Sequence, residues 1–144
     1  MPKRKSFLQS VQNLEIGKHL DLILDRDKID LAESSLLIRK LGGYFGTGIP
    51  SSKDDTIIIR TELFLSILYD QADQGSGNEA LKKAISNTLS YSSYLAHIIK
   101  QEKNLEKNIR DNKFFDNMKE LGDALIQLDM MIEMMIEAKS RLKP

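Results

Sequence analysis

Apolar residues recur at every third or fourth position along the last thirty residues of the chain. The stretch from Phe114 to Leu142 carries apolar side chains at alternating steps of four and three. This seam comprises Phe114, Met118, Leu121, Leu125, Leu128, Ile132 and Met135, and Leu142 follows one heptad later. Such spacing places the side chains on one stripe of an α-helix that packs lengthwise against a partner. We therefore predict a helix of roughly 40 Å over this stretch.

The same stretch carries apolar residues outside the seam. A second row at steps of four comprises Ile126, Met130 and Met134, with Met131 and Ile136 beside it. A helix that is apolar nearly all round is enclosed by other protein rather than resting on one surface. The enclosing wall is the rest of this chain, a second copy or another protein, and the sequence leaves these three alternatives open.

A second long amphipathic stretch precedes the last one. It runs from Asn78 to about Arg110, with Glu102 interrupting a seam of Ala84, Thr88, Tyr91, Leu95, Ile98, Leu105 and Ile109. The four residues 110–113 are enough to reverse the chain into the final helix. Two long helices joined by so short a turn are expected to pack antiparallel. Residues 78–142 are therefore predicted to form a helical hairpin.

Two shorter helices are predicted in the N-terminal part of the chain. The first would begin after Ser6 and continue through Ile23, with Gly17 weakening its middle. The second would follow Asp30, because Asp30 and Glu33 have the spacing of a capping box. The glycine pair at positions 42 and 43 is typical of a helix end. Residues 42–55 are accordingly predicted to be a glycine-rich loop, and residues 1–5 a disordered basic arm.

Residues 56–69 fit two kinds of structure. Apolar residues alternate with polar ones, as in a strand. The spacing of Ile59, Leu63 and Ile67 equally fits a helix capped by Asp54 or Asp55. A lone strand would have no partner here, and this favours the helix. The sequence thus predicts one all-α domain spanning residues 1–144, a bundle of four to five helices that ends in the long hairpin.

Composition narrows the class of protein. The chain has 144 residues, 41% hydrophobic and 29% charged, and its 21 basic and 21 acidic residues cancel. It has no cysteine, which excludes disulfides and thiolate chemistry. The beginning, MPKRKSFLQS, lacks the apolar run of a signal peptide, and no segment approaches a membrane span. We expect a cytoplasmic protein, although secretion without a signal would leave the same pattern.

Candidate chemistry is sparse. Gly43 to Gly48 has the glycine spacing of a phosphate-binding loop, but Ile49 and Pro50 stand where Lys and Ser or Thr are required. His19 and His97 lack the spacing of metal ligands. Serines 86, 90 and 93 share a helical face with His97, but nothing orients a base beside them. We therefore expect no catalytic, cofactor or metal site, and a protein that is not an enzyme.

Two surfaces are candidates for binding a macromolecule. The first is a basic row at steps of three, four and three, which could follow the phosphates of a nucleic acid: Lys100, Lys103, Lys107 and Arg110. Glu102 and Glu106 lie beside this row, and they make a solvated face or internal ion pairs the simpler interpretation.

The second surface is the methionine cluster of the last helix. Methionine is flexible and polarizable, and it is common where a surface adapts to partners. The predicted partner-binding residues, with tyrosines of the preceding helix as aromatic anchors, are Ile126, Met130, Met131, Met134, Tyr91 and Tyr94. The leading hypothesis is a helical protein–protein interaction module, such as an adaptor, chaperone-like or regulatory protein, that forms a homodimer. Methionines filling the core of a bundle are the alternative.

Overall fold

The fold is built from α-helices throughout the part of the chain that is described. The computed structural model describes residues 11–48, 50–74 and 78–142, and 82% of the structure is helical with no strand there. Within these ranges, and from residue 16 onward, five helices follow in order: α1 (Ile16–Leu24), α2 (Leu31–Gly46), α3 (Asp54–Gln74), α4 (Glu79–Leu105) and α5 (Asn112–Leu142). The predicted all-α class is confirmed. The predicted basic arm and the predicted cap at Ser6 lie outside the described residues.

Helix α1 is shorter than the sequence indicated. The chain turns at residues 12–14, and α1 begins at Ile16 after Glu15. Gly17 therefore lies in the first turn of α1 and not in the middle of a longer helix. His19, Leu20 and Ile23 are the buried residues of α1, and they direct it onto α2 and α3.

Helix α2 continues past the glycines that were predicted to end it. Its start is as predicted, because the Asp30 carboxylate accepts a hydrogen bond of 2.8 Å from the Ala32 backbone N–H. The helix then runs through Gly42 and Gly43 to Gly46, so the prediction of a loop over residues 42–55 is wrong for residues 42–46 and for residues 54–55. The connector that remains is short, because α3 already begins at Asp54.

The ambiguous stretch is a helix. Within α3 the fully buried side chains recur at helical spacing, and they are Ile57, Ile58, Thr61, Phe64, Leu65 and Leu68. Asp54 is itself buried at the start of the helix. Its carboxylate accepts hydrogen bonds from the Ser51 N–H at 2.9 Å and from the Tyr44 hydroxyl at 2.5 Å. The prediction of a helix rather than a strand over residues 56–69 is confirmed.

The two long helices run antiparallel. Asn78 caps α4 through a 2.9 Å bond from the Leu81 N–H, and its amide also lies 3.8 Å from the sulfur of Met135 near the far end of α5. Helix α4 ends at Leu105, where Glu106 adopts a left-handed conformation with φ of 48°. The connector to α5 is therefore longer than the predicted four residues.

The predicted seam of α5 faces the core. Six of its members are at most 1% exposed, and they are Phe114, Met118, Leu121, Leu125, Leu128 and Ile132. Met135 is half-buried at the edge. The most extensive neighbour of α5 is α2 rather than its hairpin partner α4. The last helix thus lies between α2 and α4, with one side turned to solvent.

Candidate interaction surface

The rotation of α5 about its own axis decides which of its residues reach solvent. This rotation is fixed where α2 and α5 meet at glycines. A Cβ atom placed on Gly122 would lie 2.6 Å from the backbone nitrogen of Gly46 and 3.0 Å from the carbonyl oxygen of Gly42. Real Cβ atoms do not approach backbone so closely, so only glycine allows the two helices this separation. Gly122 must therefore face α2.

A buried carboxylate fixes the same α2–α5 contact about two helical turns further along α5. Asp129 is only 4% exposed. It accepts hydrogen bonds from the Ser35 hydroxyl and, at 3.0 Å, from the Arg39 guanidinium. Arg39 also contacts Glu133, and its hydrogen bond to Asp129 raises the pKa of the guanidinium above its ordinary value. Because a buried carboxylate without partners is unfavourable, Asp129 holds α5 in one register against α2.

With Gly122 and Asp129 directed at α2 and the seam directed at the core, two methionines point outward. Met130 is 57% exposed and Met134 is 69% exposed. Met131 and Met135 are half-buried, and they pack against the core. These four methionines line a shallow, almost wholly apolar depression of about 420 Å³, together with Gln127 and Ala138. We call these six residues the methionine surface.

Ile126 is less exposed than Met130 and Met134, the other two members of the predicted second row. It is 38% exposed, yet its side chain packs into the space left by the missing Cβ of Gly42. A Cβ at Gly42 would lie 2.6 Å from Ile126 Cδ1 and 2.8 Å from its Cγ1. Ile126 therefore contributes to the α2–α5 contact and borders the methionine surface, rather than forming part of an uncovered stripe.

The two tyrosines lie elsewhere. Tyr91 and Tyr94 are half-buried and pack against the core. Lys113, at the beginning of α5, places its Nζ 5.1 Å from the centre of the Tyr94 ring. The methionine end of α5 lies beside Asn78, which is 13 residues before Tyr91 and roughly 20 Å away along α4. The register of the antiparallel pair therefore separates the tyrosines from the methionine surface, and their role as aromatic anchors for a partner stays a prediction.

The predicted basic row is interrupted. Lys100 and Lys103 are exposed on α4, but Lys107 and Arg110 lie beyond its end. Arg110 donates at 2.7 Å to both Glu102 and Asp55, and its guanidinium carbon lies 5.0 Å from the centre of the Phe114 ring. Arg110 is thus occupied in joining α3, α4 and α5. The regular helical row needed to follow a phosphate backbone is not formed.

The N-terminal histidine occupies a site that the sequence did not indicate. His19 is completely buried, with its Nδ1 3.1 Å from Nζ of Lys40. Lys40 also donates to the carbonyl oxygens of Val11 at 2.6 Å and Leu14 at 3.1 Å. Burial, and secondly the charge of Lys40, lower the pKa of His19 to about 4. A neutral imidazole accepting from Lys40 explains the geometry, and this group holds the N-terminal turn onto α2.

Other candidate chemistry is dispersed. Asp21, which lies near His19 in sequence, forms an ion pair of 2.7 Å with Arg60, and His97 is exposed on α4. Among the described residues no group of three His, Asp or Glu side chains is placed to hold a metal ion. No helix in the same part of the chain is long and apolar enough to cross a membrane.

The methionine surface is chemically uniform. Its lining consists of thioether, methyl and one amide group. It holds no general base or nucleophile of the kind that catalysis needs.

Searches against protein-family models, curated proteins and solved structures found no match to this chain.

Proposed function

We propose that this protein is a non-enzymatic interaction module that binds helical protein partners through the methionine surface of α5. The observation that supports the proposal is the exposure of Met130 and Met134, at 57% and 69%, on a helix whose opposite side is fully buried. Isolated exposed apolar residues are ordinary, but two large ones adjoining two half-buried methionines form a continuous patch.

The rigidity of the backbone beneath this patch favours recognition. Gly122 and Asp129 hold α5 against α2 on either side of Ile126, so the outward residues are presented in a fixed orientation. The methionine side chains above them have three rotatable bonds and adapt their shape to a partner. A rigid helix carrying flexible apolar side chains suits a groove or a second helix.

The expected strength of such binding is modest. Burying a methionine side chain completely stabilises by roughly 1.5–3 kcal/mol, so Met130 and Met134, which are 57% and 69% exposed, contribute about 2–4 kcal/mol at most. Association opposes this with an entropy term of at least about 4 kcal/mol. The methionine surface is therefore the centre of a larger contact, and residues around it must also touch the partner.

The proposal is tested by the double substitution Met130→Lys and Met134→Lys. The matched control is Leu105→Lys, because Leu105 is 63% exposed at the opposite end of the hairpin. All three sites are exposed, so the circular dichroism spectrum and the melting temperature are expected to stay close to those of the parent protein.

Self-association is measured by sedimentation velocity, and partner binding by affinity capture of the tagged protein from its native source. We expect Met130→Lys/Met134→Lys to lose self-association or its captured partners, and Leu105→Lys to keep both. Identical sedimentation and an identical captured set for the double variant and the parent protein would refute the proposal. The cytoplasmic location expected from the sequence stays a prediction, which imaging of a tagged chain tests.

A further inference from the structure

The solvent side of α5 carries a second heptad pattern, directly opposite the buried seam. Six exposed residues follow one another at steps of four, three, four, three and four. They are Asp123, Gln127, Met130, Met134, Glu137 and Arg141. Residues spaced in this way lie along one stripe of a helix, as in a coiled coil. We call these six residues the outer stripe.

The outer stripe is arranged about its centre in a way that suits pairing with itself in reverse. Its midpoint is position 132. The acidic Asp123 and the basic Arg141 lie nine residues to either side of it, and the methionines lie two residues to either side. If two stripes cross antiparallel at this midpoint, Asp123 meets Arg141, Gln127 meets Glu137 and Met130 meets Met134. A parallel arrangement would place each charge against its own kind, which is unfavourable.

From this complementarity we infer that the occupant of the methionine surface is a second copy of the same chain, with the two α5 helices antiparallel around a two-fold axis at position 132. The inference rests on the proposed interaction role and adds the identity and the direction of the partner. The two-fold axis doubles every contact. Four methionines fill the centre, and two pairs of Asp123 with Arg141 close the ends.

The ion pair that Arg141 makes within its own helix does not oppose this arrangement. Arg141 donates to Glu137 at 2.5 Å, and the two side chains are 77% and 62% exposed. An exposed pair of this kind contributes little. The guanidinium has five N–H donors, so it can bind Asp123 of the second copy while it keeps Glu137.

The size of the contact predicts a weak dimer. The outer stripe spans 18 residues, roughly 27 Å of helix. A single helix crossing lies below the area of about 1,200–2,000 Å² that stable complexes bury, unless parts of α2 and α4 join it. We therefore expect a dimer that dissociates on dilution.

Cross-linking tests the direction of pairing, and the absence of native cysteine makes it specific. Gln127→Cys and Glu137→Cys are made as separate variants with tags of different mass, then mixed and treated with a short bismaleimide. The antiparallel dimer places Cys at 127 beside Cys at 137, so the mixed product forms. Two copies of position 127 lie roughly 15 Å apart along the axis, so either variant alone links poorly. Linking within one variant but not between the two would overturn the inference.

Charge exchange tests the ends of the stripe. Asp123→Arg places two arginines together at each end, and Arg141→Asp places two aspartates together. Each reversal replaces two attractions by two repulsions, so each is expected to weaken dimerisation by about tenfold. The double variant restores opposite charges and is expected to dimerise within about threefold of the parent protein. Asp70→Arg and Lys100→Asp, exposed on α3 and α4, are the controls.

Sedimentation equilibrium over a range of concentrations at low salt measures these affinities. If Asp123→Arg/Arg141→Asp dimerises as weakly as the two single charge variants, or if none of these three variants differs from the parent protein in dimer affinity, the antiparallel pairing is wrong. A chain that is monomeric at every concentration also overturns the inference, and the interaction role then depends on whether Met130→Lys/Met134→Lys loses captured partners. A double methionine variant that dimerises and captures as the parent does defeats both.

Discussion

Replacing Gly122 with alanine tests how closely α2 and α5 must approach. The added Cβ would lie 2.6 Å from the nitrogen of Gly46, 2.9 Å from its Cα and 3.0 Å from the carbonyl oxygen of Gly42. All three are backbone atoms, so no side chain can rotate away to make room. The two helices must separate by a substantial fraction of an ångström, and the contacts between them weaken together.

Two opposing effects determine the size of the change. Alanine is a better helix former than glycine by about 1 kcal/mol, and this stabilises the variant. Overpacking a close contact destabilises by about 1–3 kcal/mol or more, and a clash with backbone lies at the upper end. We expect a net destabilisation of about 2 kcal/mol. For a chain of this length that lowers the melting temperature by roughly 4–8 °C.

Gly43→Ala is the matched control, because Gly43 lies on α2, the helix that Gly122 contacts, but faces away from α5. Nothing lies within 4 Å of a Cβ built on Gly43, and the residue is exposed. Only the helix-forming effect remains there, so this variant should melt a few degrees higher than the parent protein. The two glycine-to-alanine changes are thus expected to shift stability in opposite directions.

Thermal melting followed by circular dichroism, with urea unfolding as a second measurement, is sufficient. A Gly122→Ala variant that melts at or above the parent temperature would refute the argument from close approach. Gly42→Ala adds a finer check, because its Cβ meets mainly the flexible side chain of Ile126. Combining it with Ile126→Ala should recover part of the loss, which a double-mutant cycle measures.

Three further predictions concern buried polar groups. The pKa of His19 is lowered to about 4 from 6.5, so the unfolded chain takes up its proton first, and the free energy of unfolding should fall by up to about 3 kcal/mol as the pH falls from 6.5 to 4. Urea unfolding against pH should show a smaller slope for His19→Gln, and an unchanged slope would contradict this. Asp129→Ala removes the acceptor of two hydrogen bonds from α2, so the free energy of unfolding measured in urea should fall by about 1–3 kcal/mol. Glu133→Gln, at the surface, is the control and should change it by less than about 1 kcal/mol. Arg110→Ala should lower the free energy of unfolding by about 1–2 kcal/mol, because it removes two ion pairs. The control Lys107→Ala, at an exposed side chain, should lower it by less than about 0.5 kcal/mol. If both variants lose the same stability in urea, Arg110 does not join the three helices.

The sequence was most informative where local periodicity and burial coincide. The seam of α5 was predicted residue by residue, because steps of four and three place side chains on one stripe whatever the partner is. Helix α3 was correctly favoured, since no second strand was available to pair with it. The cap at Asp30 was also predicted, because it depends on residues close in sequence.

The predictions failed where distant residues decide the outcome. Gly42 and Gly43 have the composition of a helix end, whereas Gly42 lies inside a helix and contacts Gly122, eighty positions later, which local composition does not indicate. The separation of the tyrosines from the methionine surface along the hairpin was not predicted, because pattern alone does not give register. The end of α4 was missed because Glu106 adopts the left-handed conformation that glycine usually supplies. Lys40, which holds His19, lies 21 positions away from it, and no spacing rule connects them.

The division of α5 into an anchored side and an outward side has a practical consequence for engineering. Gly122 and Asp129 fix the distance between α5 and α2 and the rotation of α5 about its axis, and neither contact involves positions 127, 130, 134 or 137. Those four positions are therefore open to replacement, in the way that the loops of an antibody are exchanged on a constant framework. Libraries varied only there should retain the parent fold while acquiring different binding preferences.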